Sequence, residues 1–135
     1  MILLDTHAWI WLASEPDRVG PLVGAALRST DERSLGASAI SGWEIATKVA
    51  QGKLGLDRPI GDWVGGTLQQ FRIVSEPVSM PIAVRAGGLG VEGFHGDPAD
   101  RIIVATALLL RCPLATLDDK IRDWAATRSD LAIVW

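Results

Sequence analysis

Acidic residues that follow apolar runs or open helical patterns are the side chains of this sequence that could do chemistry. Asp5 and Asp118 each come directly after a short apolar run. Glu44 and Asp100 lie near the start of two helical patterns. If the apolar runs are strands of one parallel sheet, these acids meet at one edge, because such sheets bind ligands beyond the carboxyl ends of their strands. Four carboxylates there would form an oxygen-rich pocket suited to Mg²⁺ or Mn²⁺.

Each acid also has a simpler role at the start of a helix. Asp5 and Asp118 are well placed to cap the helices that follow them. Ser41 and Glu44 have the spacing of a capping box, in which the two side chains bond each other's backbone N–H groups. The segment 97–100, Asp-Pro-Ala-Asp, reads as an N-cap, a proline and a first-turn acid. Capping does not need several acids at one sheet edge, so their joint placement is what favours a metal site.

The elements that must position these acids alternate along the chain. Strands are predicted at about Ile2–Leu4, Leu35–Ile40, Phe71–Val74, Leu114–Leu117 and Leu131–Trp135. Helices are predicted at about Thr6–Ala13, Pro21–Arg28, Ser41–Ala50, Asp62–Gln70, from Pro81, Pro98–Arg111 and Asp119–Thr127. The strand runs are apolar on both faces, which indicates a mainly parallel sheet between two layers of helices. We therefore predict a single α/β domain over residues 1–135.

Composition narrows the classes of protein to which the chain can belong. Apolar residues make up 48% and charged residues 21%, and the formal net charge is −3, which is typical of a globular domain and excludes a disordered or strongly basic one. The single cysteine, Cys112, excludes an internal disulfide and indicates a reducing compartment. The longest apolar run, 102–110, is too short to cross a bilayer, so we expect a soluble, cytoplasmic protein without membrane contact.

Several other catalytic motifs are missing from the sequence. There is no G-x-S-x-G elbow or phosphate-binding loop, and the glycines at 88, 90 and 93, which have the G-x-G-x-x-G spacing, follow no predicted strand. A zinc site is not expected, because the chain has one cysteine and two histidines. An acidic chain can still act on phosphate esters when its carboxylates hold a divalent cation. Metal-assisted phosphoester hydrolysis is therefore the chemistry that the acids favour.

Four motifs taken in order resemble a known family. They are M-I-L-L-D-T-H-A at the N-terminus, S-x-W-E at 41–44, H-G-D-P-A-D-R-I-I-V-A-T-A at 95–107 and L-A-T-L-D at 114–118. Together they resemble the PIN-domain proteins of the VapC-like toxin group. The resemblance implies a PIN-like three-layer α/β/α sandwich and a Mg²⁺-dependent endoribonuclease, with Mn²⁺ as a possible substitute. It also implies a homodimer that is neutralised by a small cognate antitoxin of a type II pair.

The resemblance also implies roles for individual residues. The metal-binding acids of the family correspond to Asp5, Glu44, Asp100 and Asp118 of this chain. Its supporting hydroxyls correspond to Thr6 and Thr116, and Asp97 matches an acid that is common in the subgroup. Asp119 is an alternative to Asp118, although Asp118 has the expected spacing from Thr116.

An acid pocket leaves the binding of RNA to basic side chains elsewhere. The candidates for contacts away from the pocket are Arg18, Lys48, Lys53, Arg58 and Arg101. For Arg101 an ordinary surface or ion-pairing role is at least as good an interpretation. His95 is a further candidate for substrate contact, although a lone histidine on a loop is more often structural or merely exposed. Trp9 and Trp11 cannot share one helix face, so we expect one in the core and the other either as an exposed anchor or shielded by neighbouring helices.

Two other functions stay open at the level of the sequence. One is a metal-dependent phosphohydrolase that acts on a small phosphoester. The other is a binding module that keeps the fold without catalysis, although clustered acids are of no use to a pure scaffold. The sequence names no particular RNA as the target.

Overall fold

The computed structural model describes residues 1–135 and has a central sheet of five parallel strands. The strands are β1 (Ile2–Leu4), β2 (Leu35–Ser38), β3 (Ile73–Glu76), β4 (Leu114–Ala115) and β5 (Ile133–Val134). Their spatial order is β3-β2-β1-β4-β5. Each parallel crossover carries at least one helix, as the wide separation of the strands in the sequence requires. The prediction of a parallel sheet is confirmed.

Seven α-helices and two short 3₁₀ turns cover the sheet. The helices are α1 (Thr6–Ser14), α2 (Pro21–Arg28), α3 (Ala39–Ala50), α4 (Ile60–Gln70), α5 (Met80–Gly88), α6 (Pro98–Leu110) and α7 (Asp119–Ala125). The 3₁₀ turns are Pro16–Arg18 and Leu89–Glu92. None of these helices is long and apolar enough to cross a membrane.

Two apolar cores lie on opposite faces of the sheet. Leu3 and Leu4 are adjacent in the central strand β1, so their side chains point to opposite faces, and both are completely buried. Leu3 belongs to the core that is shared with α5, α6 and α7, while Leu4 belongs to the core that is shared with α1 to α4. This arrangement confirms the predicted three-layer α/β/α sandwich. It also places Asp5, the next residue, at the middle of one sheet edge.

The start of α3 differs from the prediction. The helix begins at Ala39, and the hydroxyl of Ser38 accepts the backbone N–H of Ile40 as its N-cap. Ser41 therefore lies inside the first turn, and Glu44 lies in the second turn rather than the first. The predicted Ser41–Glu44 capping box is wrong, because the strand ends earlier than its apolar run and the helix starts directly after it.

Other boundaries shift by a few residues. Helix α4 begins at Ile60, and β3 begins at Ile73 rather than Phe71. Arg72 separates these two elements in a left-handed conformation, with φ of 52°, which is incompatible with either a helix or a strand. Gly52 has φ of 70° and closes the C-terminus of α3 as predicted, because glycine adopts this conformation without a steric penalty.

Candidate active site

The predicted acids line one cleft of about 270 Å³ at the carboxyl edge of the sheet. Asp5 follows β1, Glu44 lies on α3, Asp100 lies on α6, and Asp118 precedes α7. No apolar side chain lines this cleft, whose remaining walls are Thr6, His7, Lys48 and Asp97. The fold thus brings together residues that are more than a hundred positions apart in the sequence.

Asp5 is the most buried of these acids, with 6% of its surface exposed. One carboxylate oxygen, Oδ1, accepts the backbone N–H of Ala8 at 2.7 Å, so Asp5 is the N-cap of α1 as predicted. The other oxygen, Oδ2, accepts the hydroxyl of the buried Thr116. Burial raises the pKa of Asp5 above its usual value, while the bonds to Thr116 and Ala8 act in the opposite direction. Asp5 is consequently held in one orientation by donors from two elements.

Glu44 is positioned from α1. The hydroxyl of Thr6 donates to a carboxylate oxygen of Glu44. The Oγ1 atom of Thr6 also lies 3.0 Å from the Oγ atom of Ser41. Thr6 and Ser41 are both buried, so this hydroxyl pair is shielded from water. Ser41 was predicted to cap a helix, but it instead joins α3 to α1 beside the acid.

Asp97 and Asp100 divide the start of α6 between them. Oδ1 of Asp97 accepts the backbone N–H of Asp100 at 2.9 Å, so Asp97 is the N-cap. Asp100 makes no side-chain hydrogen bond of this kind, and its Oδ2 atom faces Nε2 of His95 at 3.3 Å. The backbone N–H of Asp97 donates to Nδ1 of the same imidazole at 3.3 Å. His95 therefore packs behind the side chain of Asp100. The sequence had left His95 open between a structural and a substrate-binding role.

Asp118 reaches the cleft, and Asp119 does not line it. Oδ1 of Asp118 accepts the backbone N–H of Ile121 at 3.0 Å, which makes it the N-cap of α7. Its own backbone N–H donates to the Thr116 hydroxyl at 3.0 Å. Thr116 thus links Asp118 to Asp5.

The cleft is strongly electronegative. The pKa of Asp100 is raised from 3.8 to about 7, first by burial and then by the negative charges of Asp97, Asp118, Glu44 and Asp5. Carboxylates that are this close oppose one another's ionisation. A divalent cation would remove this repulsion, because its charge offsets theirs.

The donor set fits a hard divalent cation. The acids supply carboxylate oxygens, which Mg²⁺ and Mn²⁺ prefer, and no cysteine is present at the cleft. In the present side-chain positions no three acidic, histidine or cysteine groups converge closely enough to ligate one ion. Binding an ion therefore requires rotation of some acidic side chains, and Asp100, whose carboxylate accepts no hydrogen bond, is the least restrained of them.

The predicted RNA-binding cations are distributed differently from the expectation. Lys48 lies inside the acid cleft rather than away from it. Arg101 is turned toward its own loop and donates to the carbonyl oxygens of His95 at 2.6 Å and Phe94 at 3.2 Å. Arg58 pairs with Asp57, and Arg18 stacks on Trp11 at 4.0 Å. Arg101 is thus a structural residue, because its donors are used within the protein.

The tryptophans also follow the prediction only in part. Trp9 is in the core, 2% exposed, and donates from its indole to Thr67 at 3.0 Å. Trp11 is half-buried under Arg18, as the shielded alternative predicted. The exposed tryptophan is Trp43, with 61% of its surface accessible, next to Glu44 on α3. Its position on the outer face of α3 could be recognised only after the start of that helix was known.

Comparisons with known proteins agree with this arrangement. Residues 2–126 match the sequence profile of the PIN domain. The ribonuclease VapC22 of Mycobacterium tuberculosis (strain ATCC 25618 / H37Rv) is 34% identical over 121 residues, which covers 90% of this chain and 89% of that protein.

Solved structures share the fold. A chain of FitAcB from Neisseria gonorrhoeae is 29% identical with a TM-score of 0.60, and the alignment covers 98% of this chain and 96% of that one. A chain of VapBC2 from Rickettsia felis, in a crystal with a DNA fragment from the promoter, is 19% identical with a TM-score of 0.66, covering 99% and 98%. The PIN domain profile covers residues 2–126, and the alignment with VapC22 covers 90% of the chain. Together with the α/β/α sandwich around a carboxylate cleft, these matches show that this chain belongs to the PIN domain family.

Proposed function

We propose that this protein is the toxin of a type II toxin–antitoxin pair, an endoribonuclease that hydrolyses RNA phosphodiester bonds with a divalent cation at the acid cleft. The observation that carries the proposal is the convergence of Asp5, Glu44, Asp100 and Asp118 on one cleft in a PIN domain. Its relative at 34% identity is a ribonuclease. PIN-domain ribonucleases of this type are metal-dependent, and Mg²⁺, with Mn²⁺ as a substitute, is the ion we propose for this chain.

In the proposed reaction the four acids bind the cation, and two threonines position two of them. Asp5, Glu44, Asp100 and Asp118 would hold the cation, with Asp97 as a neighbouring acid. When bound, the ion acidifies water and offsets negative charge on the scissile phosphate. Thr116 fixes the carboxylate of Asp5, and Thr6 fixes that of Glu44. Side chains that are locked in this way lose little freedom when substrate binds, which favours the reactive geometry.

The partners of the protein follow from the same relationship. Structures of similar fold include a toxin–antitoxin complex from Klebsiella pneumoniae. The FitAcB chain is also similar in sequence, with 29% identity to this chain. A small cognate antitoxin therefore neutralises this toxin. We further propose that the toxin, as one domain over residues 1–135, forms a homodimer, which light scattering of the purified chain can test.

The test of the activity uses purified protein and single-stranded RNA. We expect cleavage with Mg²⁺ or Mn²⁺, none with EDTA, and none from Asp100→Asn in either metal. Asp119→Asn is the matched control, since Asp119 carries the same charge next to Asp118 but does not line the cleft. Cleavage that survives EDTA, or equal cleavage by wild type and Asp100→Asn, would contradict the proposal.

Two further measurements separate this function from the alternatives. Small phosphoesters should neither be hydrolysed nor compete with RNA, in contrast to the behaviour of a phosphohydrolase. Calorimetry should detect Mn²⁺ binding that is lost in Asp100→Asn, whereas a non-catalytic binding module has no reason to bind the ion. Growth arrest on expression, relieved by the product of the neighbouring antitoxin gene, would establish the biological role.

A further inference from the structure

The acid cleft contains one lysine, Lys48, among its acidic residues. It lies on α3 one turn after Glu44 and is the only lysine or arginine among the residues that line the cleft. Its Nζ atom lies 3.4 Å from Nε2 of His7, which is its only side-chain hydrogen bond. None of the ion pairs of the chain involves Lys48. The lysine is thus surrounded by acids but paired with an imidazole.

The contact between the two side chains leaves donors free. A lysine ammonium has three N–H donors and no acceptor, so Lys48 must donate to His7. Nε2 of His7 is then the acceptor in this contact. The ammonium keeps two N–H groups for another ligand.

His7 is held in place by aromatic neighbours. It lies in the first turn of α1, two residues after Asp5, and its ring packs against Trp11 with centroids 5.7 Å apart. The indole of Trp11 is covered by Arg18 at 4.0 Å and meets the edge of Trp135 at 5.7 Å. The imidazole thus lies between the indole of Trp11 and the Nζ atom of Lys48, where it can position the end of the lysine side chain.

The position of Lys48 is not that of a lysine whose role is to neutralise the acids. The attraction between opposite charges rises as their distance falls, so a neutralising lysine should contact a carboxylate directly. Lys48 instead stands apart from the carboxylates at the cleft wall, where an incoming anion can meet it. The RNA phosphate is the anion that the proposed function brings there, and a lysine is a common point-charge ligand for phosphate.

We propose that Lys48 is a catalytic residue that contacts the scissile phosphate of RNA, and that His7 is the positioning residue that holds it. The inference rests on the proposed function. The free N–H groups of Lys48 bind a non-bridging oxygen on the side of the phosphate away from the carboxylates. Because negative charge builds up on these oxygens during hydrolysis, a fixed donor aimed at them lowers the barrier.

The experiment compares wild type, Lys48→Met, Lys48→Arg, His7→Leu and the double variant Lys48→Met/His7→Leu. Lys120→Met is the control, because Lys120 carries an equal charge, is exposed and does not line the cleft. We measure kcat and KM for RNA cleavage, Mn²⁺ affinity and Tm. RNA affinity is measured in the Asp100→Asn background, with and without Lys48→Met.

We expect Lys48→Met to lower kcat about a hundredfold. Lys48→Arg should recover part of that loss, while Mn²⁺ affinity and Tm stay near the wild-type values. His7→Leu should lose about tenfold, and the double variant should be no worse than Lys48→Met, because the two residues act as one unit. RNA affinity in the Asp100→Asn background should fall several-fold with Lys48→Met, and Lys120→Met should show neither loss.

The contrary results are equally specific. Unchanged kcat in Lys48→Met, or a loss that Lys120→Met reproduces, would overturn the role of Lys48. Losses that multiply in the double variant would overturn the role of His7. If the wild type cleaves no RNA, the proposed function fails, and the binding measurement then decides: equal RNA affinity with and without Lys48→Met overturns the contact.

Discussion

The Nε2 atom of His95 is buried and lies 3.3 Å from the Oδ2 atom of Asp100, without a hydrogen bond to that or any other group. The imidazole accepts the Asp97 backbone N–H on Nδ1, so its proton is on Nε2 and faces the carboxylate. Its ring stacks on Phe94 with centroids 4.4 Å apart, and Phe94 in turn meets the edge of Trp124 at 5.0 Å. This row of aromatic rings thus extends from Trp124 to Asp100, the acid whose pKa is raised to about 7.

Replacement of His95 should weaken catalysis through the orientation of Asp100. We expect His95→Ala to lower kcat for RNA cleavage about tenfold, because the imidazole that lies behind the Asp100 carboxylate is lost. His95→Gln retains an N–H donor and should recover part of the loss. Steady-state kinetics with both variants, beside a thermal melt, checks this. A drop in Tm without a change in kcat would contradict it.

Asp97 and Asp100 should respond oppositely to removal of their charge. Asp100→Asn should abolish cleavage and leave the fold intact. Asp97→Ala should lower the free energy of unfolding by about 1 kcal/mol, because it removes the N-cap of α6, while Asp97→Asn should retain the cap. Urea denaturation and activity assays of the three variants distinguish these roles. Loss of all activity in Asp97→Asn alone would show that the roles are exchanged.

The hydroxyl of Thr116 should matter more than its size. Thr116→Val keeps the shape but leaves the buried Oδ2 of Asp5 without its donor, so we expect a loss of roughly 1–3 kcal/mol in unfolding free energy. Thr116→Ser keeps the donor and should cost less. Thr127→Val is an exposed control that should be neutral. Equal stability of the serine and valine variants at position 116 would contradict the argument.

Without metal, the protein should become less stable as pH rises through the neutral range. Burial and neighbouring acids raise the pKa of Asp100 from 3.8 to about 7, and burial also raises that of Asp5. Between these values the folded chain holds protons that the unfolded chain has released, so stability falls with increasing pH. In EDTA we expect a higher Tm at pH ~5.5 than at pH ~8, and a smaller difference in Asp100→Asn. The same slope in both proteins would contradict this.

Arg101 should stabilise the loop that carries His95 and should not contribute to RNA affinity. Its guanidinium donates to the carbonyls of Phe94 and His95, and a Cβ atom on Gly90 would lie 2.8 Å from Nη2. We expect Arg101→Met to lower the free energy of unfolding by roughly 2 kcal/mol. Chemical denaturation measures this, with the exposed Arg122→Met as the control. A loss of RNA affinity at unchanged stability would instead assign Arg101 to the substrate.

Much of the fold followed from local patterns in the sequence. The apolar runs predicted every strand, because strands buried on both faces have to be continuously apolar. The caps at Asp5, Asp97 and Asp118 were also predictable, since a capping aspartate bonds an N–H group only a few residues away. The start of α3 was not, because the same small polar residues suit the end of a strand and the first turn of a helix.

The sequence by itself determined which acids stand at strand ends and helix starts, because those positions depend on nearby residues. Only the tertiary structure decided what surrounds them. Thr116 reaches Asp5 across 111 positions, and Lys48 meets His7 across 41. Contacts at such separations depend on the order of the strands and the register between them, which no local pattern encodes. For the same reason the sequence could name Lys48 only as a candidate for RNA contact, while its place inside the acid cleft required the folded chain.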